Sequence, residues 1–534
     1  MGGTTVKLWI VLICVLSILS VGCGSNDVQT TESEVVRDDT PSSAATEEPV
    51  ESPTTSPSEE PIDGSESEVE SLEQDSPKPD GILRTASEIT DADGLGSGLL
   101  QPLGAAPLPD GYSEVELLIA GEATSYRSEI PLNPEGTWIF EEDTQESYKT
   151  RALIRYPPVD HFSGVVIIEW LNVTAGVDNS IDWTYLSEEI GREGHGYVGV
   201  SAQIVGVMGR DSGRLPGGLI DTRGLPTRDP VRYGDLTHPG DAFSFDIFTQ
   251  SALAGVQFLN TEYGSDAGTL IAVGQSQSAA FLTSYINAVH PIVRVFDSYL
   301  VHGRGDGAPD PQMNDRLSNV LIRSDVDVPV LIYETETDLN VLEYATARQE
   351  DSTNIRSWEV TGAAHADTYS LTYANGFPRQ ASVGSVIGCP GLINDGPQHE
   401  TLQAALHHLV VWTTGGDPPS SSPRIEVAIG EKIEIVRDEM GLAVGGIRTP
   451  TVSVPLRIFS GDPAVSEGFC FLFGQTFEID TPTLKSMYPT LESYVSALEA
   501  AATESVHEGW LLQVDADIMI EEETARAVSL GIGD

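Results

Sequence analysis

The sequence predicts an α/β protein built on a mostly parallel, doubly wound sheet with helices on both faces. Two observations carry this expectation. Short continuous apolar runs, such as "GVVIIEWLN" (164–172) and "TLIAVG" (269–274), read as strands buried on both faces. They alternate with amphipathic helix-length segments such as "FSFDIFTQSALAGVQFL" (243–259). Strands joined through helices imply parallel pairing with right-handed crossovers. Sites in such sheets form at the carboxyl ends of the strands.

The 534-residue chain opens with "MGGTTVKLWIVLICVLSILSVGC", one lysine before an apolar run and then small residues. Residues 1–23 therefore read as a secretory signal. Ser20-Val21-Gly22-Cys23 resembles a bacterial lipobox, although serine replaces the usual leucine. Lipid attachment at Cys23 in the cell envelope is expected, with ordinary cleavage and secretion or an uncleaved anchor as alternatives. Residues 24–80 are rich in Ser, Thr, Pro, Glu and Asp and contain no aromatic residue. Such a segment cannot bury enough apolar surface to offset its ordering entropy and reads as an extended tether.

The formal net charge is −53, of which the tether supplies seventeen acids against Arg37 and Lys78. Most of the excess falls on the globular part, which argues against nucleic acid or anionic lipid as a partner. Membrane contact is expected only through the N-terminal lipid or signal anchor. Beyond Cys14 and Cys23 only Cys389 and Cys470 remain. In an exported chain they suggest one disulfide, two free thiols being the alternative, and they are too few for a metal cluster.

The globular pattern runs from about 95 to 534. "YSEVELLIAGEATSYR" and "YKTRALIRYPP" alternate like antiparallel edge strands. "GVVIIEWLN" is the first buried strand, and "SIDWTYLSEEIGREGHGYVGVSAQ" gives a helix and a second strand. After the helix at 243–259, "TLIAVG", "RVFDSYLV", "VPVLIYETET" and "IRSWEVTG" supply further strands. "HETLQAALHHLVVWTTGGDPP" is a helix closed by Gly415-Gly416. Residues 424–461 look like hairpins without a clear core of their own, and "TLESYVSALEAAATESVHEGW" is a late helix.

A serine hydroxyl needs an adjacent base to act as a nucleophile, and that base needs an orienting acid. Ser276 sits in "GQSQS" immediately after a buried strand and opens a helix-like run, the setting of a nucleophile elbow. The turn brings strand and helix close, so small residues are needed two positions either side. Gly274 meets this, and Ser278 replaces the usual glycine, tolerable if its hydroxyl finds a backbone carbonyl. Asp338 follows the strand "VPVLIYETET" and is the expected acid. Glu336 is the alternative, Glu334 lies two residues earlier still, and Asp297 is a more distant candidate. His365, after the next strand in "GAAHAD", is the expected base, with His302 its nearest rival.

At these residues the chain resembles the alpha/beta-hydrolase superfamily, and more narrowly the poorly characterised "alpha/beta hydrolase domain" family whose elbow reads G-Q-S-Q-S. The narrower resemblance includes "VVIIEWLNV", "DPVRYGDLTHPGDAFSFDIFTQ", "GQSQSAAF", "LHHLVVWTTGGDPP" and "GGIRTPTVSVP". It implies the alpha/beta-hydrolase fold with C-terminal β-hairpin elaboration, and a Ser-acid-His triad without a cofactor or metal. It supplies no substrate, because fold does not imply function. An oxyanion hole would take the N–H of Gln277 and one from the loop after "VVIIE", where Leu171 or Asn172 is the expected donor. Trp170 reads as core packing, and "DPVRYGDLTHPGD" (229–241) is placed to shape a pocket. The expected activity is cleavage of a small-molecule carboxylic ester or related acyl bond. An acyltransferase on the same triad and a non-catalytic surface lipoprotein are the alternatives.

Overall fold

The computed structural model describes residues 81–214, 221–375, 382, 384–466 and 468–533. The expected signal, Cys23 and tether lie outside the described residues. Among those described, no helix is long and apolar enough to cross a membrane.

Nine strands make the central sheet: β1 (Glu88–Asp91), β2 (Ser113–Arg127), β3 (Glu141–Tyr156), β4 (Val165–Trp170), β5 (Gly196–Val200), β6 (Thr269–Gln275), β7 (Ser298–His302), β8 (Val330–Thr335) and β9 (Ile355–Val360). The short edge strand β1 begins before the expected boundary at residue 95. The spatial order is β1-β2-β3-β5-β4-β6-β7-β8-β9. β1, β2, β3 and β5 pair antiparallel in that sequence. From β5 through β4 to β9 every pairing is parallel. The chain winds outward from β4 to β5 and then returns to build in the other direction from β6. The crevice at the carboxyl ends of β4 and β6 is thus the topological switch point, where α/β sheets place their ligands.

The principal helices are α1 (Ile181–Glu193), α2 (Ser244–Tyr263), α3 (Gln277–Ser284), α4 (Gln398–Thr413), α5 (Leu491–His507) and α6 (Gln513–Ser529). Strand periodicity divides the core between the two sheet faces. From β4, Val166, Ile168 and Trp170 join Phe245 and Phe248 of α2 and Phe281 of α3. Val165 and Ile167 join Trp183 and Leu186 of α1 and Leu402 and Leu406 of α4. Trp170 is core packing, its ring centroid 4.7 Å from that of Phe248 and 5.3 Å from that of Phe281. Burial of one such aromatic side chain stabilises the fold by about 1.5–3 kcal/mol.

Beyond α4, one antiparallel pair appears where hairpins were expected, Val427–Ile429 with Ile433–Ile435, while Arg457–Ser460 pairs with Gln475–Glu478, which lies outside that stretch. The terminal helices enclose a small core, to which Val454 and Leu456 of the expected hairpin stretch contribute. Leu484, Tyr494, Leu498 and Ala527 close it between α5 and α6. Residues 80–534 nevertheless form one compact unit.

Glu169 breaks the apolar run of β4 for a local reason. Ser180 offers α1 no side-chain cap. The Glu169 carboxyl accepts instead from the N–H groups of Asp182 (3.0 Å) and Trp183 (2.9 Å) and from the Tyr197 hydroxyl (2.6 Å). An acid at a helix N-terminus satisfies orphan donors and the helix dipole. Burial, reinforced by Asp182, pushes its pKa up to about 8. The unfolded chain releases this proton near the ordinary glutamate value of about 4.3, so between there and about 8 the native state holds the extra proton. Stability should therefore fall as pH rises through that window, by up to about 1.4 kcal/mol per pH unit. Urea denaturation across the window should show this slope, and Glu169→Gln should flatten it.

Candidate active site

Ser276 occupies the turn between β6 and α3 with φ 61° and ψ −117°. A non-glycine residue at positive φ costs roughly 1–3 kcal/mol and persists only where the surroundings over-determine it. Here the Ser276 N–H donates to the carbonyl of His302 at 2.9 Å, and its carbonyl receives the Ala280 N–H at 3.1 Å. A Cβ on Gly274 would lie 2.8 Å from Leu282 Cδ1 and 3.2 Å from the Ser278 backbone. That closeness is why the position demands glycine. Ser278 is buried, but its hydroxyl has no partner among the described residues, so the carbonyl contact that would ease a serine there is not made. Smallness alone accounts for its place there.

The carboxyl ends of β6, β8 and β9 bring Ser276, Asp338 and His365 together. His365 Nε2 lies 2.9 Å from Ser276 Oγ, and His365 Nδ1 lies 2.6 Å from Asp338 Oδ1. Asp338 begins from a short helix, Glu336–Asn340, in a capping box with Thr335. Its second oxygen accepts from the Thr335 N–H and hydroxyl, both at 2.7 Å. Asp338 is buried, as is the imidazole. A carboxylate at Nδ1 fixes the tautomer that leaves Nε2 as the acceptor for the serine proton.

The rival acids serve elsewhere. Glu336 Oε1 accepts from the Gly362 N–H at 2.7 Å, and its Oε2 from the Gly461 N–H at 2.9 Å and Arg437 Nη2 at 2.8 Å. Burial raises its pKa, while Arg437 and both amides oppose the rise. Glu334 faces the opposite sheet surface from Tyr333, fully buried, and burial with the nearby Asp338 charge raises its pKa well above the ordinary value. Asp297 stands at the amino end of β7, away from the carboxyl edge, and receives the Leu270 N–H at 2.8 Å. His302 pairs through Nδ1 with Asp182 at 2.9 Å and through Nε2 with the Gln398 amide at 3.0 Å.

The loop after β4 corrects one expectation. The Leu171 N–H is engaged by the Val200 carbonyl at 3.2 Å, and the Asn172 N–H by that of Asn179 at 3.0 Å. Neither is available to a substrate oxygen. Asn172 instead ties this loop to the elbow, its Nδ2 donating to the Gln275 carbonyl at 3.0 Å. Gln277, as first residue of α3, belongs to the turn whose N–H groups have no intrahelical partner. Its side chain donates to Gln203 Oε1 at 2.9 Å, and the same oxygen receives Trp170 Nε1 at 3.2 Å. Gln203 thus joins the elbow to β4 and the loop after β5, and no motif marks it in the sequence. Within 229–241, His238 Nε2 sits 2.9 Å from the carbonyl of Ala202, placing that segment against the loop that carries Gln203.

The segments beyond α4 seat the His365 loop. The Ala366 N–H donates to Leu472 and the Thr368 N–H to Asn394, each at 3.0 Å. Asn394 Nδ2 reaches the carbonyls of Gly362 at 2.8 Å and Ser460 at 3.1 Å. Cys389 and Cys470 are bonded as a disulfide across 81 residues, joining the two segments that carry these contacts. Outside the elbow, Glu189, Glu193 and His407 place ligand atoms within 4.8 Å of one another. Arg192 at 3.0 Å and His407 at 2.9 Å already pair with Glu189, so the group is an ion-pair network.

Gly303, at φ 61°, packs against the His365–Asp338 pair. A Cβ there would lie 3.3 Å from His365 Nδ1 and 3.5 Å from Asp338 Oδ2. Gly303→Ala should therefore lower stability by roughly 1–2 kcal/mol through backbone strain. Its rate on a chromogenic ester should fall about tenfold or more as the pair is displaced. Thermal melts and steady-state kinetics on the folded variant check both.

A family model described as "Alpha/beta hydrolase domain" matches residues 85–521. A search of curated proteins by sequence returned no match. Among solved structures, one similar chain is a fungal esterase from Rhizomucor miehei. It is 11% identical over 58% of this chain and 87% of its own, with a TM-score of 0.28. A glucuronoyl esterase from Teredinibacter turnerae is 11% identical over 54% of this chain and 76% of its own, TM-score 0.25. An alpha-beta serine hydrolase homologue from Coxiella burnetii is 12% identical over 41% and 84%, TM-score 0.26. The family match spans most of the chain, and with the elbow on a mostly parallel sheet the protein belongs to the alpha/beta hydrolase domain family.

Proposed function

We propose that the protein is a serine hydrolase that cleaves carboxylic esters through an acyl-enzyme on Ser276. One observation carries the reading: Ser276 Oγ, His365 and Asp338 form a continuous hydrogen-bonded relay of 2.9 and 2.6 Å at an elbow. Ser276 Oγ attacks the ester carbonyl carbon while its proton passes to His365 Nε2. The negative charge that develops on the carbonyl oxygen faces the Gln277 N–H at the start of α3. Collapse breaks the carbon–oxygen bond to the alcohol, which leaves with the proton from Nε2. Water then gives its proton to Nε2 and attacks the acyl carbon, releasing the acid and restoring the serine. An ester needs the least assistance to its leaving group, which makes it the first substrate class to examine. The leader "MGGTTVKLWIVLICVLSILSVGC" further supports export, with attachment through Cys23 and a tether over 24–80.

The full chain should react with a fluorophosphonate probe at Ser276, located by peptide mass spectrometry. Labelling should vanish in Ser276→Ala and fall sharply in His365→Ala. Persistent labelling elsewhere, or none in folded protein, would contradict the reading. The two neighbouring acids should separate cleanly. Asp338→Asn should reduce kcat by about a thousandfold or more, because the wrong tautomer is favoured. Glu336→Gln should cost far less rate than Asp338→Asn, its main effect being to lower unfolding free energy by about 1–3 kcal/mol. Incorporation of a palmitate analogue, lost in Cys23→Ala, tests the lipid anchor.

A further inference from the structure

Gln275, between Gly274 and the serine, has a side chain that the hydrolytic scheme does not use. It is buried, with 5% of its surface exposed, at the carboxyl end of β6. Its Nε2 lies 3.2 Å from His365 Nε2 and 3.4 Å from the carbonyl oxygen of His365. The carbonyl oxygen can only accept, so the group facing it must be the NH2 end of the amide. The same nitrogen then presents a second N–H to the single lone pair of the ring nitrogen, which it shares with the shorter contact from the Ser276 hydroxyl as a three-centre arrangement.

We propose that Gln275 is a positioning residue that clamps His365 by its own carbonyl and by Nε2, holding the ring in the tautomer whose lone pair faces Ser276. The inference rests on the serine-hydrolase reading above and extends it. Asp338 fixes the ring from Nδ1 and Gln275 from Nε2, so two devices specify one tautomer. Gln275 is itself held, because its carbonyl receives Asn172 Nδ2 at 3.0 Å and β6 pairs it with His302 of β7. The clamp is a contact of the neutral ring. It is lost when the ring takes the serine proton, since two N–H groups then face each other, and regained when the ring gives that proton up.

The charged groups around the ring are accounted for. Asp338 meets Nδ1 at 2.6 Å. Glu334 and Arg304 interact electrostatically behind Asp338. Glu336 is paired with Arg437 at 2.8 Å, and Asp367, two residues past the base, receives the Tyr185 hydroxyl at 2.9 Å. Besides the Ser276 hydroxyl, Gln275 is the neutral group that presents a donor to Nε2.

Hydrolysis of p-nitrophenyl acetate by the full chain, followed as kcat/KM against pH, tests the clamp. A donor to the unprotonated ring favours it, so removing the donor favours protonation. In Gln275→Met the acidic limb of the profile should move to higher pH by about half a unit to one unit. In Gln275→Glu, where a carboxylate would accept from the protonated ring, it should move further. Both limbs unchanged in folded, active variants would overturn the proposal. A rate loss of equal size at every pH would also overturn it, because that is the signature of packing alone. Should Gln275→Met fail to fold, the near-isosteric Gln275→Glu carries the test. A wild-type chain that neither hydrolyses the ester nor takes up a fluorophosphonate overturns the serine-hydrolase reading itself, and the clamp with it.

Discussion

The site depends on how the backbone of Ser276 is held at φ 61° between β6 and α3. A strained turn survives only if its neighbours remove every cheaper alternative. The parallel register of β6 with β7 does so on one side, setting Gln275 opposite His302 and giving the Ser276 N–H the His302 carbonyl. On the other side, Gly274 lets Leu282 and the Ser278 backbone approach to distances that a Cβ would forbid. The Asn172 side chain closes the remaining side by holding the Gln275 carbonyl. With the turn fixed, the hydroxyl can only point into the crevice at the switch point of the sheet.

His365 is held by different means. Its loop follows β9, and most of its anchors come from residues more than a hundred positions from the serine. The Leu472 and Asn394 carbonyls take the N–H groups of Ala366 and Thr368. The disulfide joins the two segments that supply them. Glu336 adds a charged knot, linking Gly362 and Gly461 to Arg437. The elaboration beyond α4 is thus part of what positions the His365 loop. Two acids within one short helix divide the labour: Asp338 faces the imidazole and Glu336 binds the seat of its loop.

What could be read in the sequence was local. Continuous apolar runs marked the buried strands, and the order of Ser276, Asp338 and His365 followed from residues placed after strand ends. The two cysteines left after the leader pair as a disulfide. What escaped depends on contacts between distant segments. Leu171 and Asn172 were sensible oxyanion donors until β5 and the Asn179 turn took up their N–H groups. Asp297 looked like a strand-end acid because periodicity does not tell which end of a strand faces the crevice. The hydroxyl of Ser278 finds no partner among the described residues, which local sequence could not foretell. Helix α6 was hidden in "VDADIMIEEETARAV", where five acids interrupt the apolar residues and only packing beside α5 shows which face is buried. Gln203 and Gln275 are polar residues without a pattern, and only their geometry gives them a role.

During turnover a covalent acyl group should reside on Ser276. Rapid mixing of the full chain with p-nitrophenyl acetate measures it most directly, through the first burst of p-nitrophenol before steady state. The expected result is a burst approaching one equivalent per active chain, with an acetyl mass increment on the peptide containing Ser276 and no burst in Ser276→Ala. Steady ester cleavage with no acylated peptide under rapid acid quench, or a burst that survives Ser276→Ala, would contradict it.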